Sequence, residues 1–111
     1  MSGTIPAAEA LRLSDLITPT ERGVASRTLA KTSGGNVTLF AFDAGEGLSA
    51  HQTPFDALVL VIDGALTVTI GGKPLLAETG TIVRLPADVP HAVDAAGPAR
   101  MLLVMLRDEK S

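Results

Sequence analysis

Residues 57–70 of the chain read ALVLVIDGALTVTI, and this stretch decides the fold class. It contains two runs of apolar and β-branched residues, 57–62 and 65–70, separated by the pair Asp63-Gly64. Such runs are typical of β-strands, and an Asp-Gly pair between two of them favours a tight hairpin, because both residues accept positive φ angles at low cost. We therefore predict two strands joined by a hairpin.

The same kind of sequence pattern extends from this stretch in both directions along the chain. Short apolar and β-branched runs alternate with turn residues, and Gly71-Gly72 marks a second tight hairpin. The further strands are predicted at residues 24–31, 36–43, 49–51, 73–77, 81–85, 91–94 and 100–107. Strands at this spacing, with no helical segments between them, are typical of an all-β sandwich or barrel.

Two of these strands are apolar on both faces. Residues 66–70 alternate between aliphatic residues and threonines, which is the pattern of a strand with one buried face and one solvent-exposed face. Residues 58–62 and 101–106, by contrast, contain no polar side chain. If one face of these strands lines the interior, the outer face must be covered by another sheet or by a second chain. We therefore predict a homodimer.

The beginning of the chain has a different composition. Residues 7–13, AAEALRL, are good helix formers, and Pro19 follows them closely. We predict an N-terminal arm over residues 1–23, with one short helical or irregular segment, followed by a barrel domain over residues 24–111.

Composition excludes several classes of protein. The 111 residues are 46% hydrophobic and 19% charged, which fits one globular domain. The formal charge of −3 argues against nucleic acid as a partner, and the absence of cysteine excludes disulfides and thiolate sites. No signal peptide pattern is visible, and the longest apolar runs are too short to span a bilayer. We expect a soluble cytoplasmic protein with no membrane partner.

The two histidines stand in regular spacings with glycines. Gly45 is followed by five residues and then His51; Thr53 comes two positions later, Ala57 four after that, and Gly64 closes the segment.

A second segment has a similar framework. Gly80 is followed by five residues and Pro86, and His91 comes five positions after the proline. Fifteen residues separate Gly64 from Gly80.

These two segments resemble the two conserved motifs of the small single-domain cupins, the cupin type-2 conserved barrel family. The resemblance covers residues 37–106, and it implies an antiparallel jelly-roll β-barrel. That implication agrees with the all-β prediction made above from the strand pattern. Small cupins commonly pair through their sheets, which is consistent with the predicted homodimer.

The first motif is degenerate in this chain. Thr53 stands where the family has its second histidine, and Ala57 stands where it has a glutamate. In the second motif, Asp88 and Ala95 replace a glycine and an asparagine.

The resemblance assigns His51 and His91 to metal-ligand positions. In metal-binding cupins these residues share one divalent transition metal, and imidazole accepts Zn, Ni, Mn, Fe or Cu. Two neutral imidazoles are a weak set, so a metal-free pocket stays an equal alternative. Asp56 precedes the glutamate position by one residue and would face away from the interior in a regular strand, unless a bulge near Pro54 re-aimed it.

The loss of the histidine and the glutamate predicts a larger and more apolar cavity. If Ala57 faces inward like its family counterpart, Val59 does so too by strand alternation. The ligand-binding residues that we predict are Phe42, Thr53, Phe55, Ala57, Val59 and Met105, with Met101 and Leu103 as further candidate liners. Arg84 is either an exposed strand residue or a carboxylate-binding residue in the pocket.

Two functions remain open at the level of sequence. The first is a barrel that binds a small molecule of unknown identity, without catalysis or with a reduced two-histidine site. The second is a metal-dependent enzyme of the dioxygenase, isomerase or decarboxylase type that uses His51 and His91.

Overall fold

The computed structural model describes residues 4–107, and nearly all of its regular structure is strand. The single helical element in this range is a short 3₁₀ turn at Leu13–Asp15. The strands are β1 Val24–Thr32, β2 Gly35–Phe42, β3 Gly47–His51, β4 Asp56–Asp63, β5 Leu66–Ile70, β6 Lys73–Ala77, β7 Ile82–Leu85, β8 His91–Asp94 and β9 Ala99–Leu106.

The strands form two antiparallel sheets. One sheet has the order β1-β2-β9-β4-β7 and the other has the order β3-β8-β5-β6. Because successive strands cross repeatedly from one sheet to the other, the two sheets enclose a common interior in the manner of a jelly roll. The all-β prediction is confirmed, and each predicted strand has an observed counterpart whose ends differ by at most two residues.

The prediction of a hairpin at Asp63-Gly64 is wrong. β4 pairs with β7 and β9, whereas β5 pairs with β6 and β8, so Asp63-Gly64 is a corner between the two sheets. Gly64 has a φ of 78°, and a Cβ built there would lie 2.5 Å from the carbonyl oxygen of Pro98. This close approach of two backbones requires glycine. The hairpin predicted at Gly71-Gly72 does join β5 to β6.

The core is aliphatic and lies between the two sheets. On β4 the inward residues Ala57, Val59 and Val61 are buried, and Leu58 and Leu60 between them are only half-buried. Phe42 is fully buried and is the largest side chain in the core. The inner faces of β4 and β9 therefore build both the core and the walls of any cavity within it.

The N-terminal segment lies across the outer face of the five-stranded sheet. The Ile5 amide donates to the Leu29 carbonyl, and the guanidinium of Arg100 donates to the Ile17 carbonyl. Leu39 and Ala41 face outward from β2 and yet have no exposed surface, which the overlying segment accounts for.

Local helix propensity does not decide the conformation of this segment. Residues 7–12 are not helical, because an isolated helix this short is unstable, and a 3₁₀ turn follows at Leu13–Asp15. The division into an arm over 1–23 and a barrel over 24–111 stays a prediction, although β1 does begin at Val24. Within residues 4–107, no helix has the length and apolar character needed to cross a membrane.

Candidate functional site

The two histidines lie opposite each other on neighbouring strands. β3 and β8 pair with Leu48 opposite Val93, and the register then shifts so that His51 pairs with His91. Without this register shift, regular pairing would leave the His51 side chain facing away from the interior. His51 is three residues from Leu48, whose side chain faces inward, and an odd spacing in a strand reverses the face. The extra residue in β3 is a β-bulge that re-aims His51 to the face that His91 occupies.

Backbone carbonyls hold both imidazole rings. The Nδ1 atom of His51 lies 3.0 Å from the Ser49 carbonyl oxygen, and that of His91 lies 3.3 Å from the Val89 carbonyl oxygen. A carbonyl oxygen only accepts, so Nδ1–H is the donor in each ring and Nε2 keeps a free lone pair in the neutral form. The ring centroids are 4.5 Å apart, in an edge-to-face arrangement.

His91 is the more enclosed of the two residues. Its side chain is buried, whereas His51 is exposed. Burial lowers the pKa of the His91 imidazole below its ordinary value of 6.5, and a positive charge on His51 would lower it further; the hydrogen bond to Val89 opposes both effects. His91 is therefore uncharged at neutral pH.

A cavity of about 210 Å³ opens beside the histidines. Its walls are almost entirely apolar, and the histidines and one threonine are the only polar side chains among the described residues that line it. The lining residues are Phe40, Leu48, His51, Thr53, Ala57, Val59, Leu85, His91, Val93, Met101, Leu103 and Met105. The volume falls below the roughly 300–1,000 Å³ of typical drug-sized ligand sites, so the cavity suits a small molecule.

The structure brings most of the predicted ligand-binding residues to this cavity, but not Phe42 and Phe55. Thr53, Ala57, Val59 and Met105 line it. Phe42 instead lies in the core, with its ring centroid 6.2 Å from that of Phe40. Phe55 lies in a separate surface pocket that Asp56 and Leu106 also line, and the guanidinium carbon of Arg107 is 5.1 Å from its ring centroid.

Four lining residues were not predicted from the sequence: Phe40, Leu48, Leu85 and Val93. Alternation along β2 places both Phe40 and Phe42 on the inner face, so the strand pattern contains the signal for Phe40. Pattern alone does not separate the two, because only the depth along the barrel makes one a cavity wall and the other core.

The described residues offer two imidazoles as candidate metal ligands in this cavity. Among residues 4–107, no group of three or more histidine, cysteine, aspartate or glutamate side chains could hold a metal ion. The Thr53 hydroxyl is engaged, because it donates to the Phe55 carbonyl at 3.0 Å. Protein metal centres usually have three or four protein ligands, and the two imidazoles supply two of them.

Asp56 does not supply the missing carboxylate. It pairs with Arg84 at 2.9 Å and accepts the Ala87 amide at 2.8 Å; that backbone hydrogen bond is the main reason that the Asp56 pKa is lowered. Burial alternates regularly along β4, so no bulge turns Asp56 inward. Arg84 is accordingly an exposed strand residue with an ion-pair partner.

Comparison with protein families agrees with this fold and its motif positions. A family model described as "Cupin domain" matches residues 38–105 of the chain. No curated protein matches the chain.

Several solved structures are similar over most of the chain. A conserved protein of unknown function from Streptococcus pyogenes is 30% identical with a TM-score of 0.90, and the match covers 96% of this chain and 93% of that one. A cupin superfamily protein from Desulfitobacterium hafniense is 28% identical with a TM-score of 0.89, covering 97% and 99%. A cupin 2 conserved barrel domain protein from Leptotrichia buccalis is 33% identical with a TM-score of 0.83, covering 87% of this chain and 47% of its own.

Proposed function

The chain belongs to the cupin domain family, and we propose that within this family it binds a small, largely apolar molecule in its barrel without a resident metal ion. The observation that carries this proposal is the composition of the cavity: aliphatic and aromatic walls with two imidazoles on one side. Ala57 stands where the family resemblance implies a carboxylate, so the cavity lacks the charge that would hold a divalent cation.

The histidines select the polar group of the ligand. Each Nδ1–H is bonded to a carbonyl, so in the neutral form of each ring Nε2 is a hydrogen-bond acceptor. A ligand that presents a hydroxyl or N–H group to this pair satisfies a lone pair that would otherwise lose its hydration. The ligand class that fits is therefore a single ring or short chain carrying one donor, such as a phenol or an alcohol.

Filling the cavity should weaken this binding. We expect 2-(4-hydroxyphenyl)ethanol to shift the NMR signals of Val59 and Met101 in the wild type. In Val59→Phe we expect affinity to fall by about tenfold or more, because overpacking such a site costs about 1–3 kcal/mol. Leu60→Phe is the matched control, since Leu60 is the outward neighbour of Val59 on β4. Equal affinity in Val59→Phe and the wild type, or no binding of this probe or of a panel of related phenols and alcohols, would contradict the proposal.

The alternative is a metal-dependent enzyme at the same two histidines. The observation that favours it is the free Nε2 lone pair on each ring, since ligating histidines are commonly oriented by a hydrogen bond from the other nitrogen. Such an enzyme would need at least one further donor, from water or from its substrate. Metal analysis of the untagged protein separates the two functions. A cytoplasmic location stays a prediction from the sequence.

We further propose that the chain forms a homodimer through the part of the outer face that β9, β4 and β7 contribute to the five-stranded sheet. There Leu58 pairs with Val104 and Leu60 pairs with Leu102, all four half-buried, and Ile82 beside Leu60 is 58% exposed. An apolar face of this kind on a sheet is typical of an interaction surface, and a two-fold axis lets one patch cover its own copy.

Light scattering at micromolar concentration should give twice the chain mass of 11.4 kDa for the wild type. Leu60→Lys should give monomer, because a dimer would bury its charge without a partner. Thr67→Lys, on the outer face of the other sheet, is the control and should stay dimeric. A monomeric wild type would refute the dimer and leave the cavity proposal unaffected.

A further inference from the structure

A polar strip on β2 and β1 borders the cavity on the inner face of the five-stranded sheet. Thr38 of β2 pairs with Leu103 of β9, and Asn36 pairs with Met105. Leu103 and Met105 both line the cavity. Directly paired residues project their side chains from the same face of a sheet, with Cβ atoms about 4.5–5.5 Å apart. Thr38 and Asn36 therefore lie on the cavity side of β2, beside residues that form the cavity wall.

The polar strip continues onto β1, where it is open to solvent. Thr28 pairs with Thr38 and Lys31 pairs with Asn36, so both β1 side chains share this face. The five-stranded sheet has one strand more than the sheet that faces it, and β1 is an edge strand. Lys31 is exposed, whereas the other three residues of the polar strip are half-buried. The polar strip is therefore accessible on the flank of the cavity.

Hydrogen bonds within the polar strip leave donors free at one end. The Thr38 hydroxyl donates to Asn36 Oδ1 at 3.3 Å, which agrees with the two side chains sharing one face. Because that bond uses the one proton of the Thr38 hydroxyl, the Thr28 hydroxyl, 3.5 Å away, is the donor to Thr38. Within residues 4–107 nothing accepts a hydrogen bond from Asn36 Nδ2. Both N–H donors of that amide are therefore available next to Met105.

The ammonium group of Lys31 belongs to the same end of the polar strip. Lys31 is directly opposite Asn36, and no carboxylate of the described residues 4–107 forms an ion pair with it. A carboxylate accepts hydrogen bonds through both of its oxygens, and bonds between charged groups are about twice as strong as neutral ones. A free amide N–H₂ with an ammonium beside it is therefore suited to bind a carboxylate.

We infer that Asn36 and Lys31 bind a carboxylate of the cavity ligand, so that the ligand is a small amphipathic acid. This inference rests on the proposed function, because it requires the apolar body of the ligand to occupy the cavity. Met105 connects the two sites, since it is a wall of the cavity and the strand partner of Asn36. A hydroxy acid built on one ring has the required groups: a donor for the histidines, an apolar body and a carboxylate.

Matched probes isolate the effect of the carboxylate. Hydroxyphenylacetates and the corresponding hydroxyphenylethanols share the phenol and the ring, and they differ in the carboxylate. The 3-hydroxy and 4-hydroxy isomers are both used, so that the result does not depend on one spacing between the two polar groups. In NMR titrations at pH 7.5, at least one acid should bind the wild type about five- to tenfold more tightly than its alcohol, as expected for a partly solvated charge-assisted contact.

Substitutions in the polar strip should remove this preference. In Asn36→Leu and in Lys31→Gln we expect it to fall to about twofold or less, while the affinity for the alcohol stays the same. Arg84→Gln is the control for the loss of a positive charge, since Arg84 is engaged with Asp56. Thr67→Leu is the control for the loss of a polar side chain, because Thr67 lies on the outer face of the other sheet. Both controls should keep the preference.

The outcomes separate this inference from the proposed function. Equal affinity of acid and alcohol for the wild type, or a preference that persists in Asn36→Leu or in Lys31→Gln, would overturn the pair as the carboxylate site and leave the cavity proposal standing. An equal loss of affinity for acid and alcohol in Asn36→Leu would also overturn it, because Asn36 would then act on the barrel and not on the carboxylate. If no probe binds the wild type, the proposed function fails and this inference fails with it.

Discussion

Thr53→His combined with Ala57→Glu should convert the cavity into a metal site that holds about one equivalent of Zn²⁺. Both positions line the cavity together with His51 and His91, so the double variant would present three imidazoles and a carboxylate to one point. A set of this kind meets the three or four protein ligands of ordinary zinc centres. The wild-type protein, with two imidazoles, should retain less than about 0.1 equivalent after supplementation and desalting.

Metal analysis of untagged protein by mass spectrometry measures this difference. Thr53→His with Leu58→Glu is the matched control, because Leu58 is the outward neighbour of Ala57 and a carboxylate there points away from the cavity. Adding His91→Ala to the metal-binding variant should weaken zinc retention, since one ligand is lost. Near-stoichiometric metal in the wild type, lost in both His51→Ala and His91→Ala, would instead favour the enzyme alternative and contradict the metal-free proposal.

Phe42→Ala should lower the free energy of unfolding by about 3–5 kcal/mol, the usual cost of deleting a buried aromatic ring. Phe42 has no exposed surface, and its ring stacks on Phe40, which itself lines the cavity. Small domains are stable by only about 5–15 kcal/mol in total, so a large part of the barrel's stability would be lost.

Urea denaturation at pH 7 measures the effect, and Phe55→Ala is the control. Phe55 is half-buried in a surface pocket, where its cation–π contact with Arg107 contributes about 0.5–1 kcal/mol. The two phenylalanines were predicted for the same role in ligand binding, but the structure places them in different environments. Equal losses of stability in the two variants would contradict the placement of Phe42 in the core.

Hydrophobic periodicity explains why so much of the fold could be predicted. The strands built from residues 57–62, 73–77 and 91–94 were located closely, because glycine, proline or aspartate bounds each run on at least one side. The inward facing of Ala57 and Val59 follows from alternation alone once one of them is known to face the interior. The family resemblance, carried by the spacing of Gly45, His51 and His91, is confirmed by the match over residues 38–105.

Other features depend on contacts between distant parts of the chain. Asp63-Gly64 has the local sequence of a hairpin, but Gly64 faces Pro98 and Ala99, and this long-range approach makes it a corner between sheets. Residues 7–13 have the composition of a helix, but residues 7–12 form none, and the N-terminal segment is bonded to the sheet on either side of them, at Ile5 and at Ile17. In both places tertiary contacts outweigh a local preference that amounts to about 1 kcal/mol or less per residue.

By itself the sequence determined the all-β class, the positions of the strands, the cupin framework and the two histidines as the centre of any site. Tertiary structure alone decided how those histidines meet, because the bulge between Leu48 and His51 shifts the register by one residue and turns His51 to the side of His91. It also decided that Phe40 lines the cavity while Phe42 fills the core, and that Asp56 is bound to Arg84 outside. The physical reason is the same each time: alternation assigns a face to a side chain, whereas register and depth are set by the pairing of strands far apart in the chain.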